Sequence, residues 1–334
     1  MGEFTFIPVW MAQDLVIVAL AIVTVLYILK KEERPAQILL ELICFVFLYA
    51  AVYENFATLM KWYGYGRSAL MVFNVPLTVP LVEFLVVYLA LRVLATMEIP
   101  TWCKPFVVGV TGMLFDFTLD PIATMQVFST REGVSGRWSW FIGPNDVHIF
   151  TDPVYNYSGW VLLCGYAAAL LLLGRWWYKR SGYNQVVGYV YPIVAMLAAL
   201  GLIVSPLSSF LLWLQPLFSK GSWSEWVMLC VHAAAAITLL AVFWRGRMKS
   251  ALSMRGDLPV FLVLAGLPLS EVVFTIAGGY FSILWIEVVF TVILGAALFL
   301  VYLRGRESAR ARARAKATHT RSRSVSRKTH ARRG

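Results

Sequence analysis

The chain has little charge and few of the residues from which catalytic centres are usually built. Asp, Glu, Lys and Arg make up only 14% of its 334 residues, where a water-soluble domain carries about 25%. That shortfall, spread over many long apolar runs, excludes an ordinary soluble domain. Only four His and four Cys are present. Cys44, Cys103, Cys164 and Cys230 form no CxxC pair and lie within or at the ends of apolar runs. That excludes a disulfide framework or a zinc site and fits helix packing. There is no P-loop, no GxGxxG after a strand and no detectable internal repeat. The opening MGEFTFIPVWMAQD has no positive n-region, so the first apolar run reads as a retained helix and not a cleaved signal peptide. No Lys falls inside the last apolar helix, which argues against a retinal Schiff base.

What is there is hydrocarbon. Hydrophobic residues are 60% of the chain. Nine apolar segments reach spanning length, at roughly 13–30, 37–57, 70–96, 103–128, 155–177, 187–214, 224–244, 258–277 and 281–303. The last two are divided only by the GGY at Gly278, so a tight helical hairpin is expected there, and eight helices is the alternative count. The fold class that follows is an all-α polytopic transmembrane bundle. It forms one domain over 1–303, multi-pass in the cell (plasma) membrane.

Positive charge alternates with the connections. Those after the odd-numbered helices hold Lys30, Lys31, Arg34, Arg92, Lys104, Arg175, Lys179, Arg180, Arg245, Arg247, Lys249 and Arg255. Those after the even-numbered ones hold Lys61, Arg67, Arg131, Arg137 and Lys220. Twelve against five places the N-terminus outside and the C-terminus in the cytoplasm. The remaining 12 of the 29 Lys and Arg fall from Arg304 onward. Residues 304–334 have almost no apolar residue beyond Ala and read as a disordered, basic cytoplasmic tail. It fixes orientation, and anionic lipid headgroups are the partner its charge suits. Nucleic acid is not an expected partner.

Against this background the stretch FDFTLDP, residues 115–121, stands out. Acids at membrane depth are costly and mark functional sites. They are Glu41, Glu83, Asp116, Asp120, Glu271 and Glu287, with Glu54 near a helix end. Asp116 and Asp120 share one helix face, about 6 Å apart along the axis. Two carboxyl groups that close in low dielectric do not both ionise easily, which makes the pair a general acid and base in waiting. The alternative is a pair that only ties the bundle to Arg or to loop amides. Pro121 is expected to push Asp120 out of helical geometry. The longest connection, about 129–154, holds Trp138, Trp140 and His148. Trp138, Trp140 and the following Trp160 could wall an apolar cavity and steady a cation, or form an interfacial belt. His148 has no partners at metal-ligand spacing and reads as a surface residue.

Several of these residues occur in a familiar order. LDP at 119–121, WSW at 138–140 and DPVYNYSGW at 152–160 resemble the signature of the carotenoid biosynthesis integral membrane family. Its members include carotenoid 1,2-hydratases of the CruF type and bisanhydrobacterioruberin hydratases. Upstream, Glu54, GYG at 64–66 and NVPLTVP at 74–80 are similar to the family's Glu, Gly-rich turn and Val-Pro segment. The likeness covers about residues 50–165. The chain departs from the pattern at Arg67 and Ser68, which follow the Gly-rich turn, and at Glu83, where the family carries a bulky aromatic.

The resemblance implies addition of water to the terminal C=C of an acyclic carotenoid end group, with no cofactor and no metal. It implies Asp116 or Asp120 as proton donor, the other acid with Glu54 or Asn156 orienting water, and Trp138, Trp140, Trp160 and Pro153 around the end group. A lipid-soluble carotenoid and membrane lipids are the implied partners. Two rivals stay open. A membrane prenyltransferase also uses D-x-x-x-D motifs, although 187–303 holds no second one. A proton-coupled transporter could use Glu271 and Glu287 near the Gly-Gly turn.

Overall fold

The computed structural model describes residues 8–130, 133–144 and 146–330. Among these, nine helices are long and apolar enough to cross a membrane. They are α1 (Val9–Lys31), α2 (Pro35–Leu59), α3 (Thr78–Ala95), α4 (Thr101–Met125), α5 (Val154–Arg180), α6 (Gln185–Ile203), α7 (Ser224–Trp244), α8 (Leu258–Gly278) and α9 (Leu284–Arg314). The chain is therefore an all-α, multi-pass membrane bundle.

Four boundaries differ from the sequence expectation, each for a local reason. α3 begins at Thr78 and not near residue 70, because Met71–Val72 and Val75–Pro76 pair as a small hairpin. α6 stops at Ile203. Pro206 holds Ser205 extended, with φ −82 and ψ 160, and a separate short helix, Pro206–Trp213, follows. α4 runs unbroken through Pro121 to Met125, so Asp120 stays helical. The proline removes one hydrogen bond close to the helix end, and burial of Asp120, Pro121 and Ile122 holds the turn. The helix begun by α9 continues to His330, where the sequence reading expected no order. Ala, Arg and Lys are strong helix formers, so the segment has helical propensity without an apolar face. The α8–α9 hairpin is as expected, and Gly279 ends α8 in the left-handed conformation at φ +75.

Eight short strands lie in the connections: β1 (Tyr63–Tyr65), β2 (Met71–Val72), β3 (Val75–Pro76), β4 (Val127–Thr130), β5 (Gly133–Gly136), β6 (Trp138–Trp140), β7 (His148–Ile149) and β8 (Asp152–Pro153). They form four antiparallel pairs, β1–β6, β2–β3, β4–β5 and β7–β8. The β1–β6 pair joins the connections after α2 and α4. The backbone N–H of Tyr155 donates to Glu225 Oε2 at 3.1 Å, which brings in the start of α7. At the other end of the bundle, Lys249 N–H donates to the Thr96 carbonyl at 2.7 Å and Tyr27 donates to Asp257 Oδ1 at 2.8 Å. The connections sort by parity to opposite ends, and the twelve basic residues gather at the second. Arg131 lies outside the described residues.

α3 is buried on nearly every face and forms the centre, as a helix apolar all round must. The closest helix pair is α4 against α5. A Cβ built on Gly109 would lie 2.5 Å from the Val161 carbonyl oxygen, and one on Gly112 would lie 2.6 Å from Cys164 Sγ. Small residues of this kind let membrane helices approach closely. Here they bring the start of α5 within reach of Asp116 and Asp120.

Gly109→Val should therefore push α5 off α4 and destabilise the protein by about 1–3 kcal/mol. In detergent its Tm should fall. Gly201→Ala, which meets open space, should leave Tm level or slightly higher. Equal Tm for Gly109→Val and wild type would show that the seam is not tight.

Candidate functional site: an aromatic chamber with buried carboxyl groups

Strand pairing places the aromatic residues. β1 and β6 run antiparallel with Tyr63 opposite Trp140, Gly64 opposite Ser139 and Tyr65 opposite Trp138. Side chains alternate along a strand, so YGY and WSW put four rings on one face of the ribbon. Ring centroids lie 5.5 Å apart for Tyr63–Trp138, 4.6 Å for Tyr63–Trp140 and 5.4 Å for Tyr65–Trp138. Most are tilted or edge-on, the favourable geometry for such pairs.

These four rings line a cavity of about 400 Å³, together with Tyr53, Tyr155, Trp160 and Trp213. Phe56 and Val204, both exposed on the bundle surface, also line it, so it reaches that surface between α2 and the end of α6. Its acidic lining residues are Glu54 and Glu83, and Asn156 supplies an amide. Lys220 is the one basic lining residue among the described ones, with its ammonium 4.3 Å from the centroid of Tyr155.

The two chamber acids differ in their partners. Glu54 Oε2 accepts from the Tyr63 hydroxyl at 2.8 Å and from the Tyr65 hydroxyl at 2.5 Å. Burial pushes both phenols well above their ordinary value, so they keep their protons and stay donors. Glu83, in the second turn of α3, is 1% exposed, and its Oε2 meets no hydrogen-bond partner among the described residues. It lines the same chamber as Glu54.

Asp116 and Asp120 form a second unit. Asn156 Nδ2 donates to Asp116 Oδ2 at 2.9 Å and to Asp120 Oδ2 at 2.6 Å. The two carboxyl groups are within reach of each other, and Asp116 Oδ1 has no partner among the described residues. Asp120 faces a separate, smaller cavity of about 70 Å³, whose walls include Tyr65, Trp138 and Trp160. A polar network borders this cavity. Arg137 bonds to Gln13 and, at 3.3 Å, to Asp14, and Gln13 Nε2 donates to Glu271 Oε2 at 2.6 Å.

The sequence-chosen residues are thus divided. Glu54, Trp138, Trp140, Asn156 and Trp160 meet at the large chamber. Asp120 lies behind it at the small cavity, and Asp116 lines neither. Pro153 is buried away from both cavities, where it precedes the first turn of α5 and pairs with His148. Its fixed φ suits that start of a helix. Glu271 belongs to the Gln13–Arg137 network, and Glu287 sits buried among apolar residues, with neither oxygen partnered among the described residues. Glu41 is held far from the site by Arg175, through Nε at 2.8 Å, and by Tyr191 at 2.6 Å.

Sequence reasoning left Glu83, Tyr63, Tyr65 and Asp152 out of the site. An acid in an otherwise apolar α3 was a visible sign for Glu83. The two tyrosines become legible only through the β1–β6 register. No family model, curated protein or solved structure matches the chain.

Asp152 lies between the spans and is fully buried. Burial pushes its carboxyl up to about 8 from 3.8, against the smaller lowering effects of Tyr157 and Trp140. A raised folded value means the folded protein holds a proton that the unfolded chain releases. That contribution is complete below about pH 4 and is lost as pH rises toward 8. Asp152→Asn should flatten the fall in Tm between those limits. An unchanged slope would assign it to other groups.

Proposed function

We propose that the chain hydrates the terminal C=C of an acyclic carotenoid end group inside the aromatic chamber. The observation that carries this reading is the chamber itself, lined by ten aromatic residues with two carboxyl groups and an amide, and open at the bundle surface. Each element meets a chemical need. Protonating a trisubstituted alkene requires an acid held against the less substituted carbon. The tertiary cation that results is stabilised by π faces and by nearby carboxylate. A water held beside the cation then adds, and a base takes its extra proton. The sum is one water added across the double bond.

The opening at the bundle surface suits a substrate dissolved in the bilayer. A chamber of about 400 Å³ takes an end group with part of the polyene, and the remainder of a long chain would lie outside it. The Asp116–Asp120 unit holds the Asn156 amide from behind. Asn156 is thereby positioned to orient the water, and the two acids act through it. By the positive-inside rule, the chamber end with its few basic residues faces outward from the plasma membrane.

Expression in cells that accumulate lycopene, followed by mass spectrometry of the pigments, tests the proposal. The expected result is a carotenoid heavier by one water. A gain of one prenyl unit would favour prenyl transfer instead. Unchanged pigment, together with proton-coupled flux in liposomes, would favour a transporter. Asn156→Leu, which keeps size but not the amide, should lower hydrated product by about 10–100-fold while protein level in the membrane stays the same. Wild-type yield from that variant would remove Asn156 from the mechanism.

A further inference from the structure

Within the hydration reading, on which this inference rests, we propose that Glu83 is the catalytic acid and Glu54 the catalytic base, and that the two reset each other within the chamber. The assignment follows from what each carboxyl group touches. Glu54 is supplied with two hydroxyl donors, Tyr63 and Tyr65, on one oxygen, and that is how a protein holds a carboxylate. Glu83 receives no donor at Oε2 among the described residues, is 1% exposed, and stands on the central helix in the wall of the chamber. Two carboxyl groups buried in one chamber do not both ionise easily, so one holds a proton. With Glu54 already accepting twice, Glu83 is the partner that carries it.

The step balances. The π electrons of the alkene take the Glu83 proton, a C–H bond forms, the Glu83 O–H bond breaks, and the adjacent carbon becomes a tertiary cation. Water attacks that cation to form the C–O bond, and its extra proton passes to Glu54. Because both carboxyl groups line the same chamber, the proton returns from Glu54 to Glu83 within it. No oxidant, reductant or second reactant is required. Asp116 and Asp120, off the chamber wall, are not on this path.

The roles are separable by isotope. Membranes containing the full-length protein are incubated with lycopene in D₂O. Wild type should give an alcohol with one carbon-bound deuterium. Glu83→Gln, nearly isosteric, should lose both alcohol and label by at least about 100-fold. Glu54→Gln should lose the alcohol to a similar degree, yet leave deuterium in recovered lycopene, because protonation and its reversal at Glu83 continue. Equal membrane levels and equal Tm of the three proteins exclude misfolding as the cause. Wild-type alcohol and label from Glu83→Gln would overturn the assignment alone. Wild-type protein that yields no hydrated product would overturn the hydration reading, and this assignment with it.

Discussion

A carboxyl group inside a hydrocarbon slab must find a cation, a proton or a set of donors. The structure is arranged around the different ways this requirement is met. Glu41 meets it with a cation, the Arg175 guanidinium, backed by Tyr191. Glu54 meets it with two phenols. Asp116 and Asp120 meet it with one shared amide. Burying a charge without such partners costs several kcal/mol, so each acid dictates what its neighbours must be. That is why tyrosines, Asn156 and the α4–α5 glycine seam occur where they do. Glu83 and Glu287 differ, because Glu83 Oε2 and both oxygens of Glu287 have no partner among the described residues.

Much of this was legible in the sequence, since the signals are long-range in composition and short-range in pattern. Apolar runs of spanning length produced nine helices and the tight turn at Gly279. Charge parity sorted the connections to the two ends. The i, i+4 spacing of Asp116 and Asp120 put both carboxyl groups within reach of one side chain. What was not legible depends on contacts between distant segments. Tyr63 and Tyr65 read as part of a Gly-rich turn until WSW pairs with them across about 75 residues. Pro121 suggested a broken helix, yet surrounding packing kept it intact. Pro153 sits beside site residues in sequence but serves the start of α5.

The acid pair that first draws attention lies off the wall of the large chamber, and the acids of that wall come from the end of α2 and the second turn of α3. Sequence proximity favoured Asp116, Asp120, Pro153 and Asn156 as one centre. Three-dimensional proximity puts Asn156 at the large chamber and Asp120 at the small cavity, across a wall that includes Tyr65, Trp138 and Trp160, and leaves Asp116 and Pro153 outside both. Asn156 is the residue that belongs to both descriptions.

The β1–β6 ribbon has a consequence in time as well as in space. Its strands flank α3 and α4, and the chamber lining extends to Lys220, beyond α6. A chain emerging from the ribosome holds Glu54 and Glu83 long before WSW or Lys220 has been made. The two acids enter the bilayer without the tyrosine–tryptophan cap in place. The first five spans must be inserted before the ribbon can be secured at both ends, and a sixth before the wall is complete. The chamber is thus a late product of biogenesis, and truncation after any earlier span leaves an open cleft in place of a site.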